Sequence, residues 1–201
     1  MAYVNSDHAQ PAAPSAPPIP VKLVVAGGFG SGKTTLVGAI SEIEPLTTEA
    51  AMTNRSVGVD DTTKVSRKTT TTVAMDFGRI TIERSLILYL FGTPGQDRFG
   101  FMWDDLAIGA LGCVVLVDTR RIEDAFPAID YFERLNLPFV VALNRFDGVQ
   151  PHALDDVRTA LDVDPATPII ECDAREKESV KLVVLTLLDV VLQRAMARSG
   201  R

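Results

Sequence analysis

Residues 21–35 read VKLVVAGGFGSGKTT, and no other stretch limits the fold of this chain so tightly. Val21 to Ala26 form a short, β-branched apolar run of the kind that makes a buried strand. The run leads into Gly27, four residues, and then Gly32-Lys33-Thr34, which is the complete phosphate-loop spacing. Gly27, Gly28, Gly30 and Gly32 let backbone N–H groups turn inward around a phosphate chain. Phe29 and Ser31 complete that loop. Lys33 offers a point charge between the β- and γ-phosphates, and Thr34 offers a hydroxyl to Mg²⁺. Thr34 and Thr35 open a helical stretch, so a positive helix N-terminus faces the same phosphates. The dinucleotide fingerprint is absent, because its last glycine position, counted from Gly28, is Lys33.

A chain of 201 residues is expected to hold one domain with a full core. The net charge of −6 argues against a broad nucleic-acid surface. Cys113 and Cys172 each sit in an apolar run without metal-ligand spacing. They are expected to be buried thiols of a cytoplasmic protein. Residues 1–20 hold five prolines and many alanines, with no secretory pattern, and read as a disordered tail. Residues 21–201 are then the folded domain. The start Met1-Ala2 does not fit myristoylation, and the end carries no prenylation cysteine.

Beyond the loop, helical spacing is expected to Glu44 and is closed by Pro45. Residues 44–68 are polar and aperiodic, and read as a long functional loop. Strands are expected at 73–77, resuming at 80–82 after a turn at Gly78, and at 84–91, as an antiparallel pair. Further strands are expected at 111–117, 138–143 and 168–172. Helical patterns cover 122–135, 151–161 and 176–198. This alternation predicts an α/β fold: a six-stranded, mostly parallel sheet with helices on both faces. The last helix is apolar but falls short of ~20 clean residues, so no membrane span is expected; it packs on the core or on a partner. Phe99, Phe101, Met102 and Trp103 divide between core packing and a partner surface.

Motifs fall at the C-terminal ends of these strands, the ligand edge of an open α/β sheet. They are Thr72-Val73-Ala74-Met75-Asp76-Phe77, Gly92-Thr93-Pro94-Gly95-Gln96, Asn144-Arg145-Phe146-Asp147 and Cys172-Asp173-Ala174-Arg175. With the phosphate loop, they make the chain resemble a Ras-like small GTPase over about residues 21–198. The run FGTPGQDRFGFMWDDL resembles the small GTPases of actinobacterial conservons and the gliding-motility Ras-like GTPase of myxobacteria.

The resemblance implies roles for these residues. Thr72, or one of Thr69 to Thr71, would meet Mg²⁺ and the γ-phosphate. Gly95 would give its N–H to that phosphate, and Gln96 would orient the attacking water. Asn144 would tie the base loop to the phosphate loop, and Asp147 would pair with guanine N1 and N2. Arg145 stands where the family has Lys. Ala174, between Asp173 and Arg175, would meet guanine O6, while Asp173 equally suits a helix cap. Gly92 stands where the family carries the Asp that steadies the Mg²⁺ shell, and the sequence shows no replacement. The expected function is a GTP/GDP switch with slow GTP hydrolysis. A non-hydrolysing guanine-nucleotide scaffold and a P-loop small-molecule kinase are the alternatives. The resemblance further implies a roadblock-type regulator and a membrane sensor-kinase-like complex as partners.

Overall fold

The computed structural model describes residues 17–44, 46–52, 71–83, 85–95, 101–146 and 152–200. In chain order the elements are β1 (Ile19–Ala26), α1 (Lys33–Ile40), β2 (Leu46–Met52), β3 (Thr71–Ile82), β4 (Leu86–Gly92) and α2 (Phe101–Ala107). Next come β5 (Ala110–Val117), a 3-10 segment (Thr119–Ala125), α3 (Phe126–Arg134), β6 (Phe139–Asn144), α4 (Leu154–Leu161), β7 (Ile169–Cys172) and α5 (Lys177–Ser199). The strands form one sheet in the order β2-β3-β4-β1-β5-β6-β7. β4, β1, β5, β6 and β7 run parallel, while β2–β3 and β3–β4 are antiparallel.

The α/β class is as expected, and all six expected strands are present. The described residues add a seventh, β2, inside the segment read as loop. Its residues LTTEAAM carry no two-residue apolar alternation, so the sequence gives it no strand signal. Backbone pairing with β3, from Leu46 opposite Phe77 to Met52 opposite Thr71, defines it instead. β1 also starts earlier than expected, at Ile19, within the segment read as tail; residues 1–16 lie outside the described part.

Gly78 is not a turn. β3 runs straight through it, and the reversal comes at Glu83, whose φ is 51°. The glycine serves packing: a Cβ there would stand 2.7 Å from Val37 Cγ1 and 3.2 Å from Ser41. It therefore lets α1 lie close against β3. α1 itself ends at Ile40, before Pro45, because Ser41 turns to extended geometry. Its hydroxyl donates to the Ile43 carbonyl and accepts from Arg79 N–H.

Successive residues of β1 point to opposite faces, and both faces are covered. Leu23 and Val25 meet Leu36 and Val37 of α1 and Val183 and Leu187 of α5. Val24 and Ala26 belong to the other layer, with Trp103 of α2, Ile129 and Phe132 of α3 and Val157 of α4. Trp103 thus falls on the core side of the expected division, stacked on Phe132 and edge-on to Tyr131. α5 buries one face and leaves Leu182, Leu185, Leu192 and Met196 exposed. Among the described residues no helix is long and apolar enough to cross a membrane.

Candidate functional site

β1 lies between β4 and β5, so the sheet's connections diverge on either side of it. That divergence opens a crevice at the C-terminal ends of these strands. The phosphate loop fills it. Gly27 and Gly32 have φ of 137° and 104°, which only glycine adopts easily. Lys33 folds back into the loop and donates to the carbonyls of Gly27 (2.9 Å) and Gly28 (2.7 Å). Burial lowers its pKa to about 8 against the opposing charge of Asp76.

Thr34 Oγ1 donates to Asp76 Oδ2 at 2.7 Å. Asp76 lies in β3 directly opposite Gly92 of β4, and it is buried. A Cβ on Gly92 would stand 3.0 Å from both Asp76 Cβ and Oδ2. Gly92 therefore makes room for the Asp76 side chain, and a carboxylate reaches the Thr34 hydroxyl from the neighbouring strand. The sequence reading missed this role. The available signal was an acidic residue inside the otherwise apolar run 73–77.

The Thr93 hydroxyl, against the same cavity, is buried without a partner, as is the hydroxyl of Ser31 in the phosphate loop. Thr93 N–H donates to the Val25 carbonyl and fixes β4's exit beside the loop. A cavity of about 340 Å³ is lined by Lys33, Thr34, Thr35, Asp76, Thr93 and Gly95, together with Phe29, Gly30, Gly32 and Pro94. Larger hollows, of about 460 and 410 Å³, lie by Phe132 and Arg194 and between β3 and α5; neither contains a phosphate-loop residue. Thr34, Asp76 and Thr93 offer oxygen only, the donor set of a hard divalent cation, so the residues fit Mg²⁺.

At the other end, Asn144 Nδ2 donates to the Ser31 carbonyl at 2.9 Å. Its Oδ1 accepts from Ala174 N–H at 3.1 Å. One side chain thus joins the phosphate loop, the end of β6 and the loop after β7. Asp173 does not cap α5; it accepts from Arg175 N, Nε and NH2 at 2.7–2.9 Å. These bonds hold its pKa down at about 2. Arg145 N–H donates to the Cys172 carbonyl, and its guanidinium lies 3.7 Å from Glu171. Asp118, after β5, grips Arg120 through two bonds of 2.9 and 2.8 Å. Arg120 in turn covers the Phe146 ring at 3.9 Å. That Asp118–Arg120–Phe146 link was not anticipated.

Gln96 and Asp147 lie outside the described residues, as do Thr69 and Thr70. Thr72 is placed in β3, paired with Ala51. Lys33, Thr34, Gly95, Asn144 and Ala174 are brought to one crevice from four separate segments.

Fold and crevice together define a P-loop nucleotide-binding protein of the α/β class. The chain belongs to the family described as conserved hypothetical ATP binding protein, whose profile matches residues 25–194. It is similar to the uncharacterized protein MJ1339 of Methanocaldococcus jannaschii, with 31% identity over 129 residues, 63% of this chain and 71% of that protein. Its fold is similar to the cytosolic domain of FeoB from L. pneumophila, with a TM-score of 0.59 and 16% identity over 85% of this chain and 70% of that one.

Proposed function

We infer that this chain is a guanine-nucleotide switch of Ras-like type, which binds GTP with Mg²⁺ and hydrolyses it slowly to GDP. The observation that carries the reading is the Asn144 bridge between the Ser31 carbonyl and Ala174 N–H. It ties Asn144, the first residue of the Asn-x-x-Asp motif, to the phosphate loop, as the guanine-recognition role requires of it. Asp147 would accept two hydrogen bonds from guanine that adenine cannot offer. An unpaired buried carboxylate would then make discrimination large.

The family's description names ATP, so base choice is the first thing to test. A competition titration of GTP against ATP, with the nucleotide released on denaturing the purified protein, decides it. Equal affinity for both would overturn the guanine reading.

In the reaction, Lys33 and the inward N–H groups of the loop bind the phosphates, and Gly95 and Gln96 orient the terminal phosphate and the water. Mg²⁺ bound there would neutralise charge on the β- and γ-oxygens. Thr34 and Thr72 would be its protein ligands, and Asp76 would orient its water shell in place of the carboxylate missing at Gly92. With Asp76 beside Thr34, Gly92 no longer argues for a non-hydrolysing scaffold. The roadblock-type regulator, the sensor-kinase-like complex and the conservon type rest on the sequence resemblance. A peripheral place at a membrane through those partners rests on it too.

A further inference from the structure

Slow hydrolysis by such a site has a known physical cause: water-orienting residues do not neutralise the charge that spreads over the transferring phosphoryl group. An arginine, from a partner or from the same chain, supplies that charge. No arginine lies close to the phosphate loop in the sequence. In the fold one does.

The 3-10 segment after β5 packs directly on the loop. A Cβ on Gly28 would stand 2.4 Å from Asp124 Cβ, and one on Gly30 would stand 3.3 Å from Arg121 NH2. The backbone leaves helical geometry at Arg121, with φ −144° and ψ 60°. Arg121 NH2 then donates to the Phe29 carbonyl at 2.6 Å. Its guanidinium is flanked by Asp124 at 3.4 Å and Asp118 at 3.8 Å. The same Phe29 carries Gly95 on its other side: a Cβ on Gly95 would stand 2.8 Å from Phe29 Cα and 2.9 Å from Phe29 N. Gly95 and Arg121 therefore meet at one residue of the phosphate loop, one on its N–H side and one on its carbonyl.

We propose that Arg121 is a built-in catalytic arginine, which turns from the Phe29 carbonyl onto the terminal phosphate as GTP reacts. This rests on the GTP-hydrolysis reading above. The water oxygen forms a bond to the γ-phosphorus while the bond from that phosphorus to the β–γ bridging oxygen breaks. The electron pair stays on the β-phosphate, and the water's protons pass to the released phosphate and to solvent. The guanidinium is neither consumed nor deprotonated; it offsets charge on the γ- and bridging oxygens. Asp118 and Asp124 hold it beside the loop at rest, and nearly half of its side chain stays exposed and able to turn.

The test uses the full chain with Mg²⁺, as wild type, Arg121→Ala and Arg121→Lys. Three quantities are measured: GDP affinity, single-turnover GTP hydrolysis, and formation of a GDP–aluminium fluoride complex without any added protein. Wild type is expected to form the fluoride complex alone and to hydrolyse GTP near ~10⁻² s⁻¹, the level of GTPases with an arginine in cis. Arg121→Ala should lose the complex and slow hydrolysis by about 10³-fold, with GDP affinity within about threefold of wild type. Arg121→Lys keeps charge without the planar fork and should recover less than a tenth of the rate. A structural strap would behave differently, lowering GDP affinity and thermal stability in both variants while leaving the hydrolysis rate of bound GTP unchanged. That result overturns the proposal, as does a wild type that binds GDP yet forms no fluoride complex. A wild type that binds no guanine nucleotide overturns the underlying reading, and the arginine's role with it.

Discussion

The two ends of the crevice are built on opposite plans. At the base end, Asn144 and Asp173 spend their polar atoms on the protein itself, through Ser31, Ala174 and Arg175. Arg145 Nε is the exception among the described residues there. At the phosphate end, the Ser31 and Thr93 hydroxyls are buried without partners, and Lys33 keeps a charge where burial disfavours it. Among the described residues, the base end is thus held together by the protein's own groups. The phosphate end sets Thr93 and Lys33 against the cavity, polar groups that a bound phosphate would complete, and the fold bears their cost until then. Changes at the base end should register in stability and base choice. Changes at the phosphate end should register in binding and turnover.

The largest expected effect is on base choice. Asp147→Asn exchanges an acceptor pair for a donor and an acceptor, and should cut the preference for GTP over XTP by about 10³-fold or more. Competition binding with both nucleotides measures it; an unchanged preference would place base reading elsewhere. Next comes Asp76→Asn. It should slow hydrolysis by about 10- to 100-fold and flatten the dependence of nucleotide affinity on Mg²⁺. Titration with and without Mg²⁺ checks this, and a retained Mg²⁺ dependence would remove Asp76 from the metal's surroundings.

Asn144→Ala should act on the fold. It strands the buried Ser31 carbonyl and Ala174 N–H, at about 1–3 kcal/mol each. Denaturant unfolding of the ligand-free chain should register the loss. A variant as stable as wild type would show that the base end is not held together as described.

The smallest effects are those of pH, and both make the fold more stable as pH rises, in separate windows. Asp173 is held at about 2, below its unfolded value near ~3.9. Its bonds therefore stabilise the fold above that unfolded value, and the contribution fades as pH falls toward 2. Lys33 is lowered to about 8 from an unfolded value near ~10.4. Between those values the unfolded chain binds more protons, so ligand-free stability should rise with pH across that window. Unfolding curves of wild type and Lys33→Met, compared from pH 7 to 10, isolate the lysine. A pH-independent difference between them would contradict its buried charge.

Much of the fold was legible because its signals are local. β-branched apolar runs mark β1, β5 and β6, and the glycine–lysine spacing marks the loop before α1. β2 was not legible, since an edge strand without apolar alternation is defined by its partner's backbone rather than by its own side chains. The continuity of β3 through Gly78 was missed for a related reason. A glycine in a strand reads as a turn until the helix that needs the space is seen.

Short motifs along the chain suffice to say that a phosphate loop follows β1, that Lys33 and Thr34 close it, and that an Asn-x-x-Asp segment ends β6. Each is a contiguous motif, fixed by spacing along a few residues. Tertiary structure alone decided which distant groups meet that loop. Asp76 reaches Thr34 across 42 residues, Arg121 reaches Phe29 across 92, and Asn144 reaches Ser31 across 113. Strand register sets the first meeting: Asp76 faces Gly92, and a slip of one residue would turn the carboxylate to the other face of the sheet. Packing sets the second, because Gly28 and Gly30 leave the space that the 3-10 segment occupies. The third follows from the order of strands, which brings the ends of β1, β6 and β7 to one edge of the sheet. Neither register, clearance nor strand order is written in the spacing of any one motif.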